Sequence, residues 1–212
     1  MKILIPVDGS VYSDNAVAFV PSRTTLIGQD PEVVLLNVQP PLPARASRLV
    51  SREALADYYE DESEKAFKAV RKILKKSDME AQEISKIGNP AEVIAQIAEE
   101  QKVDLLIMGS HGRSALKGLL FGSVTNAVLA LTKVPLLMLR DKTAPETDAL
   151  SVGIAVDGSK YGTAAVKYAM KQLPLFGGQD AKFHVINTVS DYAGAVMPDM
   201  TGMALPALSE DE

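Results

Sequence analysis

Along its first 140 residues the chain alternates short apolar runs with longer amphipathic stretches, and that alternation limits the fold more than any other feature. Lys2–Val7, Glu32–Val38, Val103–Met108 and Val134–Leu139 are strand-length runs rich in Val, Ile and Leu. They lack the polar positions of a half-wet strand and read as strands buried on both faces. Glu80–Ile87 alternates only weakly and reads as an outer strand. Pro6 has no ladder donor, so it is expected at the carboxyl end of the first strand, where the backbone leaves the sheet. A helix is expected from the Asp8-Gly9-Ser10 turn to about Ile27. Leu55–Ser77 carries an apolar stripe of Phe67, Val70, Ile73 and Leu74, with Lys65, Lys68, Lys72 and Lys75 on the solvated side. Asn89 and Pro90 are a cap and a first helical residue for a helix that turns Val93, Ile94, Ile97 and Ala98 inward. A last helix is expected from Ser123 to about Thr132. Gln39–Ser51, with three prolines, Arg45 and Arg48, and Arg52 just beyond, reads as a mobile loop. Five strands in strict alternation with helices predict an α/β fold, an open parallel sheet with helices on both faces. Ligands on such sheets bind beyond the carboxyl ends of the strands, where the strand order reverses.

After a polar stretch at 141–149 the chain repeats itself. Val7-Asp8-Gly9-Ser10 recurs as Val156-Asp157-Gly158-Ser159, and Tyr12, Ala16 and Val17 recur as Tyr161, Ala165 and Val166. Leu35-Leu36-Asn37 is echoed by Val185-Ile186-Asn187. A period this long means duplicated domains rather than a solenoid. The second copy has no counterpart of Glu80–Arg140. The expected organisation is a complete unit over 1–140, a linker over 141–149, and a partial second repeat with a C-terminal tail over 150–212. Two strands and one helix bury little core alone, so that fragment is expected to pack on the first unit or on a partner chain.

Composition removes several functions. The 212 residues carry a net charge of −5, which disfavours a broad basic surface for nucleic acid. With no cysteine, a disulfide scaffold, a cysteine-zinc site and a thiol nucleophile are excluded. The greasiest window, Leu116–Leu139, is broken by Lys117, Asn126, Lys133 and Pro135, so no membrane span is expected. The N-terminal apolar run is too short for a signal peptide, and a soluble cytoplasmic protein is expected.

The chemistry is concentrated in Gly109-Ser110-His111-Gly112, nine further residues, and Gly122-Ser123-Val124-Thr125. This stretch begins at the end of a predicted strand and ends at a helix start. The glycines Gly109, Gly112 and Gly122 suit torsions and close approaches that a Cβ would forbid. Free N–H groups and the positive end of the helix dipole suit a phosphate, and Ser123 and Thr125 add hydroxyls. Glycine-rich turns also serve simply to connect strand and helix, and Ser123 could equally be an ordinary cap. Neither GxxxxGK[ST] nor GxGxxG occurs.

Gly-x-x-Gly, nine residues, Gly-Ser after an apolar strand resembles the universal stress protein family, in particular its ATP-binding branch, whose motif is G-2x-G-9x-G-[ST]. The opening strand ending in Val7-Asp8 and the helix start at Gly88-Asn89-Pro90 are also similar to that family. The resemblance covers Lys2–Arg140 completely and, in part, Ser151–Ser190. It implies strand order 3-2-1-4-5, with the first and fourth strands side by side. It places Asp8 near adenosine, Pro6 and Val7 in the adenine pocket, and the backbone of Val38 on the adenine edge. Met108, Gly109, His111 and Gly112 would flank ribose and phosphates, and Gly122, Ser123, Val124 and Thr125 would hold the phosphates. The implied ligand is ATP, with any magnesium held mainly by phosphates and water. In this family the fifth strand commonly pairs between units, so a homodimer through Val134–Leu139 is expected.

The resemblance favours an ATP-binding module in stress response, its nucleotide state tuning its interactions. The alternatives are a slow ATPase or phosphotransferase and a nucleotide-free dimeric scaffold. An efficient enzyme is not expected, because no general base and no acidic metal pair stand out. His111 lacks a nucleophile and Asp partner pattern and reads as a phosphate or backbone contact. Arg113 and Lys117 could reach a phosphate or be solvated loop charges. His184 is expected in the core of a strand. Asp157 repeats Asp8 without a second glycine motif, so no second intact nucleotide site is expected. The tail methionines Met197, Met200 and Met203 read as loose packing rather than a docking surface.

Overall fold

The computed structural model describes residues 1–47, 49–112, 122–140 and 146–188. Arg48, Arg113, Lys117, most of the linker and the tail methionines lie outside the described residues. The chain divides into two compact units, one of Met1–Leu150 with Gln172–Ala181, the other containing Ser151–Lys171 and the described residues from Lys182 onward.

The first unit is built on a five-stranded sheet of β1 (Lys2–Pro6), β2 (Glu32–Gln39), β3 (Gln82–Ile87), β4 (Leu105–Gly109) and β5 (Leu136–Leu139). All its pairs are parallel, and the order is β3-β2-β1-β4-β5. The doubly apolar strands follow from two cores. Ile3, Ile5, Val33, Leu35, Leu105 and Ile107 face one core; Leu4, Val34, Leu36, Leu106 and Met108 face the other. Helices α1 (Val11–Phe19) and α4 (Arg52–Lys75) close the first core through Val17, Phe19, Phe67 and Val70. Helices α5 (Pro90–Glu100) and α6 (Ser123–Leu131) close the second through Ile94, Ile97 and Val128. Asn89 caps α5 as expected, its Oδ1 accepting the Ala91 N–H at 3.1 Å.

Three expectations need correction. The first helix does not reach Ile27: it ends at Phe19, and a separate turn of helix, α2 (Thr24–Ile27), follows. Pro21 is the reason: Val20 still has helical torsions (φ −61°, ψ −54°), but proline has no N–H to carry the helical hydrogen-bond ladder onward. The proline-rich loop contains a short helix, α3 (Ala44–Ser47), and α4 begins at Arg52, where Ser51 Oγ accepts the Ala54 N–H at 3.1 Å. His184 is not a core residue. It is exposed, with Nε2 3.2 Å from Ser151 Oγ.

The second unit consists of β6 (Ser151–Val156), α7 (Lys160–Lys171) and β7 (Lys182–Asn187), the two strands parallel. The sequence repeat is reproduced in backbone detail. Gly9 and Gly158 both have φ 77°, and Ser10 and Ser159 donate their N–H groups to Asp8 and Asp157. With one helix and two strands, only a few side chains, such as Ile154 and Ala169, are buried, which is why His184, Val185 and Ile186 remain exposed.

Arg23 fastens the end of the linker to the first unit. Its side chain is fully buried, stacks over Phe19 at 5.1 Å, and donates to the carbonyls of Asp148 at 2.5 Å and Thr147 at 2.6 Å. Asp148 Oδ2 accepts from Thr25 N–H at 3.2 Å and Oγ1 at 3.0 Å. Burial pushes the Asp148 carboxyl upward, but the hydrogen bonds from Thr24 and Thr25 and the Arg23 charge outweigh it and hold it below the usual carboxylate range. The stabilisation is therefore complete above the unfolded carboxylate pKa of about 4 and fades as pH falls through the lower folded value. Arg23→Leu, which strands buried carbonyls and a carboxylate, should lower stability by about 3 kcal/mol in urea unfolding at neutral pH. Asp148→Asn should be less stable than the parent at pH 7 and converge with it in strong acid. Equal losses at both pH values would contradict this assignment.

Candidate functional site

The strand order places β1 between β2 and β4, so their carboxyl ends meet at one edge of the sheet. There a cavity of about 350 Å³ opens. All twelve residues singled out from the sequence line it: Pro6, Val7, Asp8, Val38, Met108, Gly109, His111, Gly112, Gly122, Ser123, Val124 and Thr125. Its size falls within the range of small-ligand sites.

One wall carries a pair of backbone groups turned out of the sheet. Val7 N–H donates to Leu36 O at 2.9 Å, and Gly88 N–H donates to Gln39 O at 2.9 Å. Even-numbered residues at the end of β2 therefore aim their backbone groups at β1, and odd-numbered ones at β3. Val38 points its N–H and C=O toward β1, but the β1–β2 register ends at Pro6 and Leu36. The next rung would run from Val38 N–H to Val7 O. That oxygen instead accepts from Asn37 Nδ2 at 2.7 Å. A donor and an acceptor on one residue thus face the crevice.

The opposite wall is the start of α6. Gly122 is its N-cap, with no side chain to accept from the first turn. Its own N–H donates to Ser110 O at 2.7 Å. The helix thereby presents unpaired N–H groups and the positive end of its dipole beside the cavity. Ser123 and Val124 are exposed there, and Ser123 is the first helical residue rather than the cap. Thr125 is buried, and its hydroxyl donates to Gly109 O at 3.2 Å, so its hydrogen ties α6 to the end of β4.

The glycines act through space rather than torsion. None of Gly109, Gly112 and Gly122 lies in the left-handed region, contrary to the torsional part of the expectation. A Cβ on Gly109 would stand 2.7 Å from Tyr12 Cβ and 2.9 Å from Tyr12 O, so this glycine lets α1 cross the end of β4. A Cβ on Gly112 would stand 2.6 Å from Asp8 Oδ2. At Gly122 a Cβ would meet only ordinary contacts at 3.5 Å. There the helix start itself, not the missing side chain, shapes the site.

Asp8 is fixed by its turn, its Oδ1 accepting the Ser10 N–H at 3.0 Å. Ser10 Oγ in turn caps α1 by accepting the Ser13 N–H at 3.3 Å. His111 is held between the Tyr12 ring, with centroids 5.4 Å apart, and Ser110 Oγ, 3.0 Å from Nδ1. Burial, and secondarily the Asp8 charge, push the Asp14 carboxyl above its ordinary range. Among the described residues no three His, Asp or Glu side chains converge on a metal position, and no helix is long and apolar enough to cross a membrane.

The cavity also has lining that the sequence reading missed, notably Ser13, Asn37, Gln39, Pro90 and Ile94. Asn37 and Gln39 left a signal. They are polar at alternate positions at the end of a strand whose middle, Val33–Leu36, is apolar, both on the face toward α4. Tyr12 and Ser110, which hold His111, left none.

Residues 1–140 match the universal stress protein family model. Universal stress protein MJ0577 of Methanocaldococcus jannaschii is 30% identical over 156 residues, covering 66% of this chain and 95% of that protein. The solved structure of MJ0577 covers the same shares, with a TM-score of 0.57 and 32% identity. Universal stress protein YxiE of Bacillus subtilis is 29% identical over 148 residues, covering 66% of this chain and 98% of its own. The solved structure of a universal stress protein from Archaeoglobus fulgidus DSM 4304 covers 90% of this chain and 68% of its own, with a TM-score of 0.66 and 25% identity. The sheet order, the glycine motif and the family match over residues 1–140 agree, and the chain belongs to the universal stress protein family.

Proposed function

We propose that the first unit binds an adenine nucleotide, ATP in the first instance, and that the bound state tunes the protein's interactions in the stress response. The observation that carries this is the pairing of two features across one cavity. Val38 offers an N–H beside a C=O, the complement of the adenine edge, where an acceptor nitrogen adjoins the amino group. Across the cavity the α6 N-terminus offers N–H groups that suit phosphate oxygens. Asp8, held by its turn just beyond β1, would meet the ribose. Magnesium, where it accompanies the nucleotide, would be held mainly by phosphates and water. His111 is engaged with Ser110 and Tyr12 and is assigned no proton transfer.

The sheet edge suits the expected homodimer. β5 is the outermost strand, and Ser110 N–H donates to Leu139 O while Leu106 N–H donates to Pro135 O. Odd residues of β5 thus serve β4, and the backbone of Leu136 and Met138 faces outward, free to pair with a second copy.

Four outcomes are expected. ATP at a hundredfold excess over its Kd should raise the melting temperature by about 5–10 °C. The purified protein, with no tryptophan and six tyrosines, should show excess absorbance near 260 nm from retained nucleotide. Neither effect appearing would overturn the nucleotide reading, and turnover of about one per second or faster would favour an enzyme. Gly112→Val should abolish ATP binding by driving a side chain into Asp8, measured by calorimetry. Unchanged affinity would place the ligand elsewhere. Met138→Pro removes an outward N–H without touching the β4–β5 ladder, so it should convert a dimer to monomer in sedimentation. A dimer that survives it would rule out pairing through β5.

A further inference from the structure

Asn37 is 1% exposed, yet it sits near the end of a strand, directly after the apolar run Val33–Leu36. Its side chain is committed at both ends. Nδ2 donates to Val7 O at 2.7 Å; Oδ1 accepts from Gln39 Nε2 at 2.7 Å and from Ser63 Oγ at 3.1 Å. Ser63 Oγ also lies 2.6 Å from Ser85 Oγ. The orientation follows from chemistry. A backbone carbonyl only accepts, so the atom of Asn37 on Val7 O is the amide nitrogen, which leaves Oδ1 for the two donors. α4 and β3 supply the serines and β2 the glutamine, so three elements brace one amide.

The bond to Val7 O stands where the β1–β2 ladder would add its next rung. Without the Asn37 amide, the free acceptor would be Val7 O and the nearest ladder donor Val38 N–H. The second unit offers an internal comparison. There the equivalent strands stay in register one pair further, to Val156 and Asn187, and Asn187 is exposed.

We propose that Asn37 is a positioning residue: its amide occupies the Val7 carbonyl, terminates the β1–β2 ladder one rung early, and so keeps the Val38 N–H open for the nucleobase. Its ligand consequence rests on the adenine-nucleotide reading; its effect on the ladder does not. The specificity it confers is for a heteroaromatic edge with an acceptor nitrogen beside an amino group. Guanine presents a ring N–H and a carbonyl there and would meet donor with donor. Gln39, Ser63 and Ser85 keep the amide from turning over.

The test is amide hydrogen exchange of the nucleotide-free full chain by NMR, comparing the parent with Asn37→Leu and with Asn37→Ser, whose side chain is too short to replace the amide. In both variants the Val38 amide should gain at least tenfold protection, because it rejoins the ladder. A merely structural role would predict the opposite sign, a loosened strand with lower protection. In parallel, ATP affinity should fall about tenfold, the size of one lost hydrogen bond, while affinity for inorganic tripolyphosphate stays unchanged. Unchanged or lower Val38 protection in the folded variants would overturn the proposal. Failure of the parent to bind ATP would instead sink the nucleotide reading, leaving the exchange result to decide the role of Asn37. Should the leucine variant not fold, the serine variant decides by the same exchange criterion.

Discussion

A parallel sheet leaves backbone donors and acceptors unpaired where neighbouring strands end at different heights, and each buried one must find a partner. In the first unit this constraint is sharpest at the carboxyl end of β1. The central strand is flanked by β2 and β4, and the helices that follow cover opposite faces. Val7 makes the last bond to β2, and everything beyond must be satisfied by side chains, by a helix start or by a ligand. Asn37 takes the Val7 carbonyl, Gly122 gives its N–H to Ser110, and Thr125 gives its hydroxyl to Gly109. What is left over, the backbone of Val38 and the first turn of α6, lines the cavity.

That economy explains where glycine is needed. Gly109 allows α1 to pass over the end of β4, and Gly112 leaves room for the Asp8 carboxylate. Both are steric requirements on neighbouring elements, not torsional requirements on the glycine. The motif is therefore a record of how closely β1, α1 and β4 converge. At Gly122 the demand is weaker, and a helix start that keeps its N–H groups free is the relevant property.

Much of this was legible in the residues, and the reasons are specific. The doubly buried strands announced themselves because both faces of β1, β2 and β4 are apolar. The end of β1 was marked by Pro6 and the start of α5 by Asn89-Pro90. The position of the cavity followed from topology alone. Other features depend on contacts distant in sequence. The break after Phe19 follows from a single proline inside a helical pattern. Nothing near Arg23 in the sequence marks it as buried; Thr147 and Asp148, more than a hundred residues away, supply its acceptors. His184 looked buried because its strand is apolar, but two strands and one helix give it no cover. Asn37 was read as part of a repeat, and its role emerges only when α4 and β3 bring Ser63 and Ser85 to it.

The central claim is that one cavity reads base and phosphate from opposite walls. It is tested most directly by titrating ATP into isotope-labelled full-length protein and following the backbone amides. The amides of Val38, Gly112, Ser123 and Val124 should shift together, saturating at a single stoichiometric equivalent, with tripolyphosphate reproducing the α6 shifts but not that of Val38. Shifts confined to other surfaces, or a Val38 amide unmoved at saturation, would contradict it.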